Sequence, residues 1–150
     1  QDSELWLVGP PGDEKYYSKL LQQTKHYGWK QNEIFRGRVK DVGRCYRDAD
    51  IYVSASHDEG LGLSLLEAMA YEMPTISTAV RGHTDFVREG KNTIQFAAGD
   101  ADALESAIFK LYGDPSLGRD LGQMGRRTVK QMFLWRHTVE SYVNVFRSLW

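Results

Sequence analysis

Two glutamates, Glu59 and Glu67, bracket seven residues that include two glycines and a serine, in the stretch "HDEGLGLSLLEAMAYEMP" at 57–74. The loop Gly60-Leu61-Gly62-Leu63 runs into a helical pattern, so its backbone N–H groups would collect at a helix N-terminus. Unsatisfied donors and the helix dipole attract phosphate there. Two carboxylates would repel a phosphate at close range, so they must address another part of a ligand. Carboxylates accept well from vicinal hydroxyls, as the acidic residue of dinucleotide folds does from a ribose. Amides for a pyrophosphate and carboxylates for sugar hydroxyls together suit a nucleotide-sugar. A plainer reading uses the same residues. Ser64-x-x-Glu67 matches a capping box, in which the serine accepts from the Glu67 amide and the glutamate reaches back, a cap worth about 0.5–2 kcal/mol. In that case Leu65, Leu66, Met69 and Ala70 simply face the core.

Whatever positions these residues must come from one ordinary domain. The chain has 150 residues, 41% hydrophobic and 26% charged, enough to bury a sizeable core. Nineteen basic against twenty acidic residues leave a formal charge of −1. No basic excess points to nucleic acid, and no acidic block to a tail. The single cysteine, Cys45, excludes an internal disulfide framework and a cysteine-built zinc site, and fits a reducing compartment. No apolar run approaches the ~20 residues that span a bilayer, and no signal-peptide pattern opens the chain. The chain starts at Gln1 and reaches the apolar "LWLVG" within a few residues, as a domain entered part-way would.

Short β-prone runs alternate with longer amphipathic ones. Strands are predicted at 4–9, 33–37, 50–56, 74–80 and 93–98, most of them near-continuous apolar runs of the kind covered on both faces. Helices are predicted at 14–27, 41–48, 64–72, 83–89, 101–112, 116–132 and 137–149, with Asp100 or Asp102 as an N-cap for the fifth. This alternation predicts an α/β fold with a Rossmann-like, doubly wound parallel sheet, whose ligands sit outside the carboxyl ends of the strands. Four turns follow strands and so share that rim: Gly9 to Gly12, Gly37 to Lys40, His57 to Gly60 and Arg81 to His83. A single Gly-rich turn would mean little; four on one edge mark a binding rim. His57 and His83 fall on it, either hydrogen-bonding a ligand or serving as turn residues. No histidine spacing suggests a metal site.

The stretch "EGLGLSLLEAMAYEMPTIST" resembles the glutamate-x7-glutamate signature of retaining glycosyltransferases of the family 4 type, which have the GT-B fold. "LWLVGPPGDE", "IFRGRV", "CYRDADIYVSAS" and "VRGHTDFVREGKN" resemble that family's flanking segments in order and spacing. The resemblance implies the C-terminal, nucleotide-sugar-binding half of a GT-B fold, lacking its first βα unit, so that residues 1–150 are one donor-binding domain of a larger enzyme. It implies that Glu59 faces the donor sugar beside the reacting carbon as the catalytic carboxylate. Gly60, Leu61, Gly62, Leu63 and Ser64 would hold sugar and phosphates through their amides, and Glu67 the ribose. Gly9, Arg38 and Val39 would line the base region. No metal or cofactor is implied beyond the UDP-, GDP- or ADP-sugar substrate.

The same resemblance implies partners outside the chain. They are an N-terminal acceptor domain and an upstream arginine and lysine that neutralise the pyrophosphate; Lys15, Arg38, Arg81 and Arg88 do not map onto that pair. Nucleic acid is not expected, and a membrane surface only through the parent, a cytoplasmic protein or one at the inner face of a membrane. The family's glycine after "EAMA-x" is Glu72 here, and its glutamate after "GG-x-x" is Asp85. The ending "FLWRHTVESYVNVFRSLW" carries aromatics at 133, 135, 142, 146 and 150. It reads as a terminal helix packing on the core or, by the resemblance, as one crossing to the partner domain and exposing Phe146 or Trp150 without it. A non-catalytic nucleotide- or partner-binding domain of the same fold, and a GT-B epimerase or phosphorylase, stay open as alternatives.

Overall fold

The computed structural model describes residues 3–149, which divide between 44 and 45 into two compact units. In the first, β1 (Leu7–Val8) pairs in parallel with β2 (Phe35–Gly37). Between them lie α1 (Glu14–His26), capped by the Asp13 carboxylate accepting from the Tyr16 amide at 2.7 Å, and α2 (Gln31–Ile34). The Tyr17 ring meets Phe35 edge-on at 5.1 Å, seating α1 on the strand pair. The predicted strand at 33–37 is therefore half helix. Gln31 sends its side-chain amide to the Leu21 carbonyl at 2.8 Å, which holds the α2 turn against the end of α1. β1 is shorter than the apolar run suggested, and its Leu7 and Val8 are exposed.

The second unit begins within α3 (Val42–Asp48) and is built on β3 (Tyr52–Ser54), β4 (Thr75–Thr78) and β5 (Ile94–Phe96), parallel throughout, with β4 central. β4 is buried along its whole length, as a parallel strand covered on both faces must be. Around it lie α4 (Leu63–Ala70), α5 (Ala101–Gly113), α6 (Pro115–Met132) and α7 (Trp135–Ser148). One apolar cluster joins Ile76, Ile94 and Phe96 to Ala107, Leu111 and Leu121; another joins Leu65, Leu66 and Met69 to Phe86 and Val87. Of the two candidate caps for α5, Asp100 is the one used, accepting from Ala103; Asp114, not singled out in the sequence, caps α6 through Ser116 and Leu117.

The α/β class with parallel strands thus matches the sequence reading; one predicted helix is absent, and the terminal one forms without packing on the core. At 83–89 there is a 3₁₀ turn, Arg81–His83, followed by irregular chain. Asn92 explains the difference: its side chain accepts from the Arg88 amide at 2.8 Å and donates to the Phe86 carbonyl at 2.8 Å, offering the backbone an alternative to the helical ladder. The terminal helix, α7, does not pack on the core. None of its described residues is buried, and Trp135, Tyr142 and Phe146 are 78%, 64% and 61% exposed. Phe133, two residues before it, packs on the core and meets Phe86 edge-on at 5.4 Å. Trp150 lies outside the described residues. Among them, no helix is long and apolar enough to cross a membrane.

Candidate functional site

The 57–74 stretch lies at the carboxyl end of β3 and opens α4. Gly62 stands at the N-cap with φ +77° and ψ +55°, a left-handed conformation that glycine adopts without cost. Its carbonyl accepts the first helical bond, from the Leu66 amide at 3.1 Å. No side chain caps the helix. The predicted capping box is therefore not formed, because the N-cap is Gly62, two residues before Ser64, and Ser64 and Glu67 are engaged elsewhere. The Tyr52 hydroxyl donates to Ser64 Oγ at 2.8 Å, and the Tyr46 hydroxyl donates to Glu67 Oε2 at 2.9 Å.

Glu59, Leu61, Gly62, Leu63, Ser64 and Glu67 together line an open cavity of about 560 Å³. Both glutamates carry one hydroxyl-bound oxygen, since Ser56 Oγ donates to Glu59 Oε1 at 2.8 Å. The cavity thus presents two carboxylates and the first turn of a helix whose N–H groups lack a side-chain cap. That combination can accept from hydroxyls and donate to an anion on one ligand. Gly60 belongs to the same loop but does not line the cavity. Gly9, Arg38 and Val39 belong to the first unit. There Gly9, at φ +136°, donates to the Gly37 carbonyl at 2.9 Å, while Arg38 is exposed and Val39 half-buried.

Beneath the loop lies the 3₁₀ turn. Thr78 Oγ1, at the end of β4, donates to the Ser56 carbonyl at 2.6 Å. The Cα of Gly82 packs directly against the Glu59 carbonyl, so closely that a side chain there would overlap the backbone oxygen. The His83 ring fills the space under Gly62, where an added Cβ would sit 2.5 Å from Nε2. His83 is fully buried and its Nδ1 is 3.1 Å from the Thr78 carbonyl, so Nδ1 carries the hydrogen and donates. Of the two readings of His83, a ligand contact on the rim or a turn residue, the buried ring takes the second, as a support under the loop. His57 remains on the rim, exposed.

Sequence reasoning missed Tyr46, Tyr52 and Ser56 as groups that hold the site. Both tyrosines lie in the quoted "CYRDADIYVSAS", where they read as a helix face and a strand. Burial first, then the bond to Glu67, pushes the Tyr46 hydroxyl well above its usual range, and burial also raises that of Tyr52. Among the described residues, no group of three or more His, Cys, Asp or Glu side chains is gathered as metal ligands would be.

Glu72 follows α4 at φ +61° and is, among the described residues, the only non-glycine with positive φ. Its carbonyl packs against the Cα of Gly122, and α6 also presents Gly118 to Pro74 and Gly125 to Met69. Three small residues on one helix face thus let α6 approach the end of α4. That approach fixes the helix from its far end, away from the cavity.

Residues 1–128 match the family model described as glycosyl transferases group 1. EpsD of Bacillus subtilis (strain 168) is 39% identical over 144 residues, which are 96% of this chain and 37% of that protein. The solved sucrose-phosphate synthase of Thermosynechococcus elongatus is similar at a TM-score of 0.86 and 28% identity, over 97% of this chain and 38% of the other. Anabaena HepE, solved in complex with UDP-glucose, is similar in fold at a TM-score of 0.85 and 21% identity, covering 95% and 40%. The chain thus spans well under half the length of the relatives it matches.

Proposed function

The chain belongs to the group 1 glycosyl transferases, and from that premise we propose that it is the donor-binding part of a retaining enzyme of the family 4 type. The parent protein moves a sugar from a nucleotide-sugar to an acceptor hydroxyl. One observation carries the reading: Glu59 and Glu67 line the same cavity as the uncapped start of α4. Glu59 addresses the donor sugar beside the reacting carbon. The amides from Gly60 to Ser64 and the α4 dipole stabilise negative charge on the departing diphosphate, the group on which charge develops as the glycosidic bond breaks. Glu67 accepts from the ribose hydroxyls. That HepE was solved with UDP-glucose supports a nucleotide-sugar as the ligand. The acceptor site, and the cations that pair with the diphosphate, come from the rest of the parent protein.

The test is calorimetric titration of UDP-, GDP- and ADP-sugars into the full-length protein, beside a Glu67→Ala variant. One of the three binds, and loss of the Glu67 carboxylate weakens it about tenfold or more, the value of a charged hydrogen bond to a hydroxyl. An unchanged affinity in Glu67→Ala would refute the ribose assignment.

A further inference from the structure

Glu67 is exposed, and its carboxylate could point many ways from the surface of α4. What aims it is a phenol. We propose that Tyr46 is a positioning residue for donor recognition: its hydroxyl occupies Glu67 Oε2, so that Oε1 is the acceptor presented to the ribose diol of a nucleoside diphosphate sugar. This rests on the reading of Glu67 as the ribose acceptor, and deepens it.

The geometry is one-directional. An ionised carboxylate can only accept, so the 2.9 Å contact must use the single hydrogen of the Tyr46 hydroxyl. The Ser64 carbonyl stands 3.3 Å from the same oxygen, a longer and secondary contact. Burial and the neighbouring Glu67 charge both disfavour the phenolate, so the hydroxyl keeps its proton and stays a donor. The ring itself has little freedom. It is 8% exposed, packs with Ala68 and Met73, stacks on Tyr71 at 5.4 Å and meets Tyr52 at 6.0 Å. An exposed glutamate tied to a buried, clamped phenol surrenders its rotamer freedom before the ligand arrives, which is how a binding site gains affinity without a new contact.

Tyr52 performs a different task on the same helix turn. Its hydroxyl donates to Ser64 Oγ, which directs the Ser64 hydrogen away, to be donated outward. One turn of α4 therefore presents a donor at Ser64, suited to a phosphate oxygen, and an acceptor at Glu67, suited to a diol. Tyr52 acts on the first and Tyr46 on the second, so their variants separate two effects that simple loosening of the fold would merge.

The experiment is calorimetric titration of UDP, GDP and ADP, each beside its 2′,3′-dideoxy counterpart, into the full-length protein and its Tyr46→Phe and Tyr52→Phe variants. The wild type prefers the ribonucleotide of the base it accepts. In Tyr46→Phe that preference shrinks about three- to tenfold, the range for one hydrogen bond of ordinary net strength. Affinity for the dideoxy nucleotide stays as in the wild type, which also reports an intact fold. In Tyr52→Phe both nucleotides weaken alike and the preference is kept. A Tyr46→Phe variant with the wild-type preference, or one that loses both nucleotides equally, overturns the positioning role alone. A wild type without any ribose preference, matched by an unchanged Glu67→Ala, overturns the ribose assignment and the inference with it.

Discussion

Replacing Gly62 by alanine tests whether the His83 ring is what holds the loop in place. The new methyl would stand 2.5 Å from Nε2 and 2.8 Å from Cδ2 of that ring. The ring has nowhere to go, being fully buried and tied to the Thr78 carbonyl at 3.1 Å. The left-handed backbone at φ +77° adds about 1–2 kcal/mol for any residue with a Cβ. Forcing a methyl into filled space costs about 1–3 kcal/mol more. The stiffer unfolded chain returns about 0.4–1 kcal/mol. The net expectation for Gly62→Ala is a loss of about 2–4 kcal/mol, read as a lower urea midpoint at an unchanged m value.

A second variant separates the two causes. His83→Ala alone opens a cavity and is itself destabilising. In the double variant, however, the methyl fits the vacated space while the backbone cost remains. The cycle should therefore give a favourable coupling of about 1–3 kcal/mol, well outside the ~0.5 kcal/mol scatter of independent sites. Additive losses would refute the reasoning, because they would mean the ring and the loop do not press on each other. Nucleotide-sugar affinity should track the same cycle, falling in Gly62→Ala and partly recovering in the double variant.

Gly82→Ala should destabilise by about 1–3 kcal/mol and weaken nucleotide-sugar binding, since its Cβ would overlap the Glu59 carbonyl, a backbone atom that can only shift by moving the loop; urea unfolding and calorimetric titration read the two effects. Gly60→Ala is the contrast. Nothing stands within 4 Å of its Cβ, so stability should change by no more than about 0.5 kcal/mol. Binding should still weaken in the same titration if the ligand's phosphates approach that amide. Glu72→Gly should raise stability by up to about 1 kcal/mol in thermal unfolding, because the left-handed residue loses its Cβ strain while the exposed ion pair to Arg126, at 3.4 Å, contributes little.

The strands and long helices were legible because their signals are local. Four residues of buried β4, bounded by Pro74 and followed by the Arg81–His83 turn, read as a covered parallel strand without reference to anything distant. Asp100 announced the start of α5 in the same way. The reading failed where a side chain just past the expected helix captures its backbone. Asn92 removes the helix expected at 83–89, and nothing within 83–89 says so. At α7 the periodicity was right, and of its two readings packing on the core fails while exposure of Phe146 holds. An apolar stripe predicts that a face wants cover, and a single chain does not reveal whether its own core supplies it.

The site divides along the same line. Glu59, Gly62, Ser64 and Glu67 were legible as a set, because loop, N-terminus and carboxylates lie within nine consecutive residues. Their supports were not, because each reaches the loop from another element: Tyr46 across 21 positions, Tyr52 across 12, Thr78 across 22 to the Ser56 carbonyl. The capping box shows why this matters. Serine and glutamate stand at the right spacing for it, and on local grounds the box is a sound expectation. Two tyrosine hydroxyls compete for the same side chains, and the helix starts two residues early on a left-handed glycine that needs no side-chain cap of its own. The outcome keeps both polar side chains facing the cavity and leaves the α4 amides without a side-chain partner. A motif that stabilised its own helix would have consumed the groups that a ligand requires; here the stabilising contacts come from outside the motif.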